Sequence, residues 1–253
     1  MTPARFHVGS SQSPVVTIDG FADPAPWIGL AAAMAPFPPS AGTYYPGLRR
    51  VIGPGDVAAW QGVAQLLEDA APFIGGGFDF EGFELLEASF SMVTAAPEAL
   101  DPAQRAPHFD STDPAYLALL LYLAETPGTA FYRQRATGIE TVSAENLPVF
   151  VAAAKRESAG LNGYTAGSNA HFEQIGAVAG HAGRLAIYQG RLLHSGIIPE
   201  THDFSSDPRS GRLTLNLFVR EKDDAYQASC RRQPARHRRR ACPGGAADLR
   251  QSD

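Results

Sequence analysis

The chain has 253 residues, 44% hydrophobic and 19% charged, a balance that supports a buried core and excludes disorder throughout. Its net charge of −5 is uneven: residues 231–253 hold seven of the 21 basic residues and two of the 26 acidic ones, leaving residues 1–230 with 14 basic against 24 acidic. An acidic body argues against nucleic-acid binding by the folded part. Glycine (25) and proline (20) are abundant, which fits a loop- and strand-rich fold better than a helical bundle. The only cysteines, Cys230 and Cys242, lie at or in the tail, so the body has almost no thiol with which to build disulfides or a thiolate zinc site. No export signal is visible in the first thirty residues. The longest apolar run, Tyr116 to Ala124, is too short to cross a bilayer. A cytoplasmic protein without membrane partners is the expectation.

In chain order, residues 12–18 read as an entry strand. Asp23 and Pro24 open a short helix through Ala33, with Asp as cap and Pro in its first turn. Residues 36–54, rich in Pro, Gly and Tyr, read as a loop. Asp56 opens a second helix with Val57, Trp60, Val63, Leu66 and Leu67 on one face. After Gly75 the pattern changes to short aromatic and aliphatic runs at 83–93, 115–124, 129–135, 184–194 and 212–220, punctuated by Gly, Pro or Asp. Such runs predict a sandwich or barrel. Residues 145–158 are helical in composition and 159–182 read as a long loop, so 145–182 is expected to be a helix-and-loop insertion acting as a lid or substrate loop. The expected organisation is one domain over 1–229, mainly helical over 1–75 and β-rich over 76–229. The stretch 230–253 follows as a tail with six Arg in residues 231–240. Composition reads the tail as a solvated end, with an RNA-, membrane- or partner-binding arm as the alternative.

The chemistry-bearing signal begins at Pro107-His108-Phe109-Asp110. Alternate strand residues share a face, so His108 and Asp110 project together and supply an imidazole and a carboxylate. His194 ends the run from Arg184, before Ser195-Gly196, where it is placed to point into a barrel mouth. Two histidines and one carboxylate with open positions form the set used by non-haem Fe(II) oxygenases. Arg212, Thr214 and Asn216 share one face of the next strand, opposite Leu213, Leu215 and Leu217. A guanidinium in an apolar barrel is costly unless paired, and a ligand carboxylate would pair with it bidentately, with help from the Thr214 hydroxyl.

This ordered set resembles the 2-oxoglutarate/Fe(II)-dependent dioxygenase superfamily over about residues 83–220, and is most similar to its prolyl-4-hydroxylase-like branch. The resemblance implies a mainly β fold with flanking helices around a double-stranded β-helix (jelly-roll) core. It implies iron on His108, Asp110 and His194. It further implies 2-oxoglutarate with its far carboxylate on Arg212, assisted by Thr214, and O2 as co-substrate. Asp110 occupies a position that halogenating members leave to chloride, so hydroxylation or a related oxidation of an amino-acid side chain, free or in a peptide, or of another small metabolite is implied. Tyr122, Tyr132, Asn216 and His171 are candidate substrate contacts, with barrel core as the alternative for the tyrosines. A rival metal set, His171, Glu173 and His181, falls in the Gly/Ala/Asn-rich loop, where rigid ligand geometry is not expected. The rival function is a non-catalytic metal- or ligand-binding barrel.

Overall fold

The structure, a computed structural model, describes residues 1–40 and 45–222. The Arg-rich tail and both cysteines lie outside the described residues. The strands are β1 (Thr2–Val8), β2 (Ser13–Asp19), β3 (Gly47–Ile52), β4 (Phe83–Val93), β5 (Tyr116–Tyr122), β6 (Thr126–Gln134), β7 (Phe172–Gly180), β8 (Leu185–Gln189), β9 (His194–Gly196) and β10 (Leu213–Glu221). The helices are α1 (Pro24–Ala33), α2 (Val57–Phe78), α3 (Pro102–Arg105) and α4 (Leu147–Ser158).

The strands form two antiparallel sheets. The larger has the order β1-β2-β8-β5-β10-β4-β3 and the smaller β7-β6-β9. Period two assigns the faces. On central β10, Leu213, Leu215, Leu217 and Val219 join Leu117, Leu119 and Leu121 of β5 under α1 and α2, which contribute Trp27, Ala31, Val63, Leu66 and Ile74. The opposite face of the large sheet sends Ala118, Tyr122, Tyr188 and Phe218 against Phe131 and Val178 of the small one. A third cluster, with Tyr132, Phe172, Leu193 and Phe150, packs α4 on the outside of the small sheet. The layers are therefore helices, large sheet, small sheet and α4, with the interior cleft between the sheets. This is the mainly β jelly-roll core expected from sequence.

Four local expectations need correction. Residues 1–75 are not mainly helical, since β1, β2 and β3 supply three of the seven strands of the large sheet. Gly47–Ile52 is a strand because its backbone pairs with β4 from Gly47↔Val93 to Ile52↔Ala88, a long-range partner that a Pro/Gly-rich neighbourhood conceals. The stretch 159–182 is not all loop: Phe172–Gly180 forms β7, which pairs with β6. The run 184–194 is not one strand. It turns after Gln189, with Leu192 N–H returning to the Gln189 carbonyl at 3.0 Å, so β8 lies in the large sheet and His194 opens β9 in the small one. Asp56 precedes α2 as expected, but its carboxylate accepts from Gly53 N–H (2.9 Å) and Arg50 (2.7 Å) instead of capping the helix.

Candidate metal centre and anion pocket

His108 and His194 are backbone partners. Each accepts the other's N–H, at 2.9 and 2.8 Å, which sets their rings side by side with centroids 4.4 Å apart. Asp110 is tied two residues on, where its N–H donates to the Gly190 carbonyl at 2.7 Å. The turn after β8 and the start of β9 thus place all three side chains. Asp110 Oδ1 lies 3.9 Å from His108 Nε2, and Oδ2 lies 3.5 Å from His194 Nε2. Each of the three offers one ligand atom, and these atoms fall within 4.8 Å of one another. Among the described residues this is the only such group of three or more.

The protonation pattern follows from the hydrogen bonds. His194 Nδ1 lies 2.8 Å from the Leu192 carbonyl, which only accepts. Nδ1 therefore carries the proton, and Nε2 faces Asp110 with a lone pair. Asp110 Oδ2 is buried with no hydrogen-bond partner. Two lone-pair atoms at 3.5 Å repel unless a cation sits between them. Burial, helped by neighbouring His194, holds His108 down to about 4. Burial also holds His194 down to about 4, against its Leu192 hydrogen bond. Burial pushes Asp110 up to about 6, against His108 and Arg49. Neutral imidazoles beside a destabilised carboxylate describe a site short of positive charge, which suits a divalent metal.

A second unsatisfied charge lies in the same cleft. Arg212, 7% exposed, donates from Nη2 to the Gly128 carbonyl at 3.0 Å, while its buried Nε has no partner. Among the described residues no carboxylate forms an ion pair with it. Gly196 makes room for it, since a Cβ there would stand 3.0 Å from Nη2 and 3.3 Å from Cζ. Thr214 Oγ1 reaches the Ser91 carbonyl at 3.5 Å. Asn216 Nδ2 donates to Ser91 Oγ at 3.1 Å, leaving its buried Oδ1 unpartnered. The triad, Arg212, Thr214 and Asn216 line one cavity of about 220 Å³.

The other candidates fall elsewhere. Tyr122 is fully buried behind the cavity, hydrogen-bonded at 2.7 Å to Thr129, which does line it. Tyr132 faces the α4 side, its hydroxyl donating to the Thr165 carbonyl at 3.3 Å, because strand alternation turns neighbouring Phe131 inward instead. His171 precedes β7, and neither it nor Tyr132 lines the cavity. The rival set is dispersed: Glu173 pairs with Arg133 at 3.0 Å and His181 with Glu125 at 3.0 Å.

Among the cavity residues that escaped the sequence reading are Tyr45, Arg49, Tyr188 and Phe218. Arg49 donates to Ser89 (3.0 Å) and Glu87 (2.5 Å), and its guanidinium stands 5.3 Å from the Phe218 ring centroid. Its alternation with Val51 in GLRRVI was the available signal. Tyr188 lies six residues before His194, and its ring meets that imidazole edge-on at 4.9 Å. Burial and nearby Asp110 push its phenol well above the ordinary tyrosine range.

Fold and site together define the architectural class. The chain is similar to the non-haem α-ketoglutarate-dependent epimerase SnoN from nogalamycin biosynthesis, at 13% identity and TM-score 0.53, covering 83% of this chain and 80% of that one. It is similar to HygX from Streptomyces hygroscopicus, a structure with nickel and 2-oxoglutarate bound, at 14% identity and TM-score 0.51, covering 84% of each chain. At such identities the likeness is one of fold. No curated protein matches the sequence. The chain belongs to DUF6445, a family of unknown function whose profile matches residues 1–219.

Proposed function

We propose that the protein is an Fe(II)- and 2-oxoglutarate-dependent oxygenase that hydroxylates an amino-acid side chain, free or in a peptide, or another small metabolite. The observation that carries this reading is that two complementary unsatisfied groups line one cavity. Asp110 Oδ2, without a hydrogen-bond partner, faces His194 Nε2 at 3.5 Å within a cluster of three ligand atoms, and the buried Arg212 guanidinium has an unpartnered Nε. The jelly-roll fold shared with SnoN and HygX supports it. So does the order His-x-Asp, β5, His194, Arg212; the resemblance to the prolyl-4-hydroxylase-like branch rests on the first three, because that branch often has Lys where this chain has Arg212.

In this reading His108, Asp110 and His194 hold the metal, and Arg212 takes the far carboxylate of 2-oxoglutarate with Thr214 beside it. Metal and cosubstrate together supply the oxidising chemistry, with O2 consumed and succinate and CO2 released. The chain's own work is positional. The His108–His194 backbone pair fixes two ligands at one spacing. The Leu192 carbonyl holds the His194 proton on Nδ1 and so keeps Nε2 free. Asp110 would contribute the negative charge to the set, and a bound cation would offset the burial that disfavours its ionised form. Phe131, Tyr188 and Leu192 pack against the inner end and restrict water there.

The test is calorimetry with Mn(II) followed by 2-oxoglutarate, then succinate formation with Fe(II) and candidate substrates. Wild-type protein is expected to bind both, and His108→Ala to lose metal affinity by at least about 100-fold, as when a ligand is removed from a three-residue site. Equal metal binding by the variant overturns the proposal. Binding of both without turnover of 2-oxoglutarate favours the non-catalytic alternative.

A further inference from the structure

The inner face of the large sheet changes character across its width. Where the small sheet packs on it, it carries Ala118, Tyr122 and Tyr188. Toward the β4–β3 edge the same face carries Ser89, Ser91, Thr214 and Asn216, all buried, with Arg49 and Glu87 beside them. The reverse face of these strands holds Ala88, Phe90, Met92 and Leu215 in the helix-covered core. A packed core needs no such polar floor, and burying one costs free energy that apolar residues would avoid. Two groups on this floor have capacity left. Arg49 donates from Nε to Ser89 Oγ and from Nη2 to Glu87, and its guanidinium lies 5.3 Å from the Phe218 ring centroid. These contacts fix the guanidinium plane along its Nε–Nη2 edge, and none of them uses Nη1. Asn216 Nδ2 donates to Ser91 Oγ, and its buried Oδ1 has no hydrogen-bond partner among the described residues. Asn216 and Phe218 are alternate residues of β10, about 7 Å apart along the strand. Phe218 lies six residues beyond Arg212, about 20 Å of extended chain, so Arg49 belongs to the opposite end of the cavity from the anchor proposed for 2-oxoglutarate.

We propose that the substrate is a small zwitterion of the amino-acid class, whose carboxylate meets Arg49 and whose ammonium donates to Asn216 Oδ1. This rests on the function proposed above and narrows it to the free amino acid. A carboxylate suits the open Nη1 side of a guanidinium already held in plane. An ammonium offers only donors, and Asn216 Oδ1 only accepts. The two charged groups of an α-amino acid flank one carbon. With a hydrogen bond of about 2.9 Å at each end, they bridge roughly the spacing of alternate strand residues. A residue inside a peptide carries neither charge at its α-carbon. Glu87 offsets the Arg49 charge, so this end of the cavity suits a ligand of zero net charge better than a dianion. The cavity, about 220 Å³, is smaller than the range of about 300–1,000 Å³ common for drug-sized ligands, which also favours a small molecule.

The test uses full-length protein loaded with Mn(II) and 2-oxoglutarate. The probes are the common L-amino acids, each one that binds being followed by its carboxamide and its N-acetyl derivative. Calorimetry is expected to find at least one free amino acid that binds saturably, with both derivatives weaker by about tenfold or more, as loss of a hydrogen bond to a charged group predicts. Arg49→Met is expected to erase the preference for acid over carboxamide, and Asn216→Leu the preference for free over acetylated amine. A merely structural role for either residue would weaken all three probes alike and leave those ratios intact. The wild-type ratios test the inference even where a variant fails to fold. Wild type that binds Mn(II) and 2-oxoglutarate but no free amino acid, or that binds the derivatives equally well, overturns this inference alone. So do variants with unchanged ratios. Failure of wild type to bind Mn(II) and 2-oxoglutarate overturns the proposed function with it.

Discussion

Arg212 is a residue whose burial disfavours the free protein and which the proposed function would need in the bound one. A guanidinium at 7% exposure with an unpartnered Nε costs stability, and the anion of the proposed function would offset that cost. Arg212→Met is therefore expected to leave Mn(II) affinity unchanged while weakening 2-oxoglutarate binding by about 100-fold, since hydrogen bonds to charged groups contribute about 1.5–3 kcal/mol each. Ligand-free thermal unfolding is expected to show no loss of stability. Calorimetry and melting curves on the same preparation check both. At this scale the sequence was informative, because His108, Asp110 and His194 are residue types whose chemistry is local, and period two on β10 puts Arg212, Thr214 and Asn216 on one face without knowledge of the fold. Tyr188 was not legible. Whether a buried tyrosine lies behind a cavity or lines it depends on the packing of distant strands: Tyr122 sits behind it with Thr129 at 2.7 Å, whereas Tyr188 lines it.

The element that matters most is the turn from β8 to β9. Gly190 there accepts from Asp110 and donates to the Tyr116 carbonyl at 3.0 Å, and a Cβ added to it would come within 2.5 Å of the Tyr116 ring and 3.3 Å of the Asp110 Cβ. Gly190→Ala is expected to cost about 1–3 kcal/mol of stability, as overpacking does, and to weaken metal binding by displacing Asp110. Denaturant unfolding and Mn(II) titration would read the two effects. Elements were legible where a strand is rich in large apolar residues, as in β4, β5 and β10. They were not legible in β7, FEQIGAVAG, whose Gly and Ala carry little β-preference and whose pairing partner, β6, lies about forty residues earlier.

For the whole molecule, Glu140 joins the β1–β2 turn to the small sheet. Its buried carboxylate accepts from Ser10 N–H (3.0 Å), Ser11 N–H (2.8 Å) and Arg133 (2.7 Å). Burial would raise its pKa, but the Ser11 and Ser10 amides and Arg133 outweigh burial and hold it down to about 2, from an ordinary 4.5. A depressed carboxyl favours the fold above the unfolded value and withdraws that support as it protonates. Stability is thus expected to be level above about pH 5 and to fall between roughly pH 4.5 and 2, by on the order of 2–3 kcal/mol from this group. Glu140→Gln should flatten that part of the pH–stability curve while lowering its plateau. The Glu140 main-chain carbonyl accepts the Leu193 N–H at 2.8 Å, one residue before His194. Acid loosening of this joint is expected to reach the proposed metal ligands.

Because His194 begins a strand of the small sheet while the turn holding Asp110 leaves the large one, an ion held by the proposed triad would act as a rivet through two plates. Neither plate carries a complete set of the proposed ligands, so such an ion would bind tightly only to their docked arrangement. Added Mn(II) is then expected to slow amide exchange on β8 and β9 in step, and a chelator to release both together.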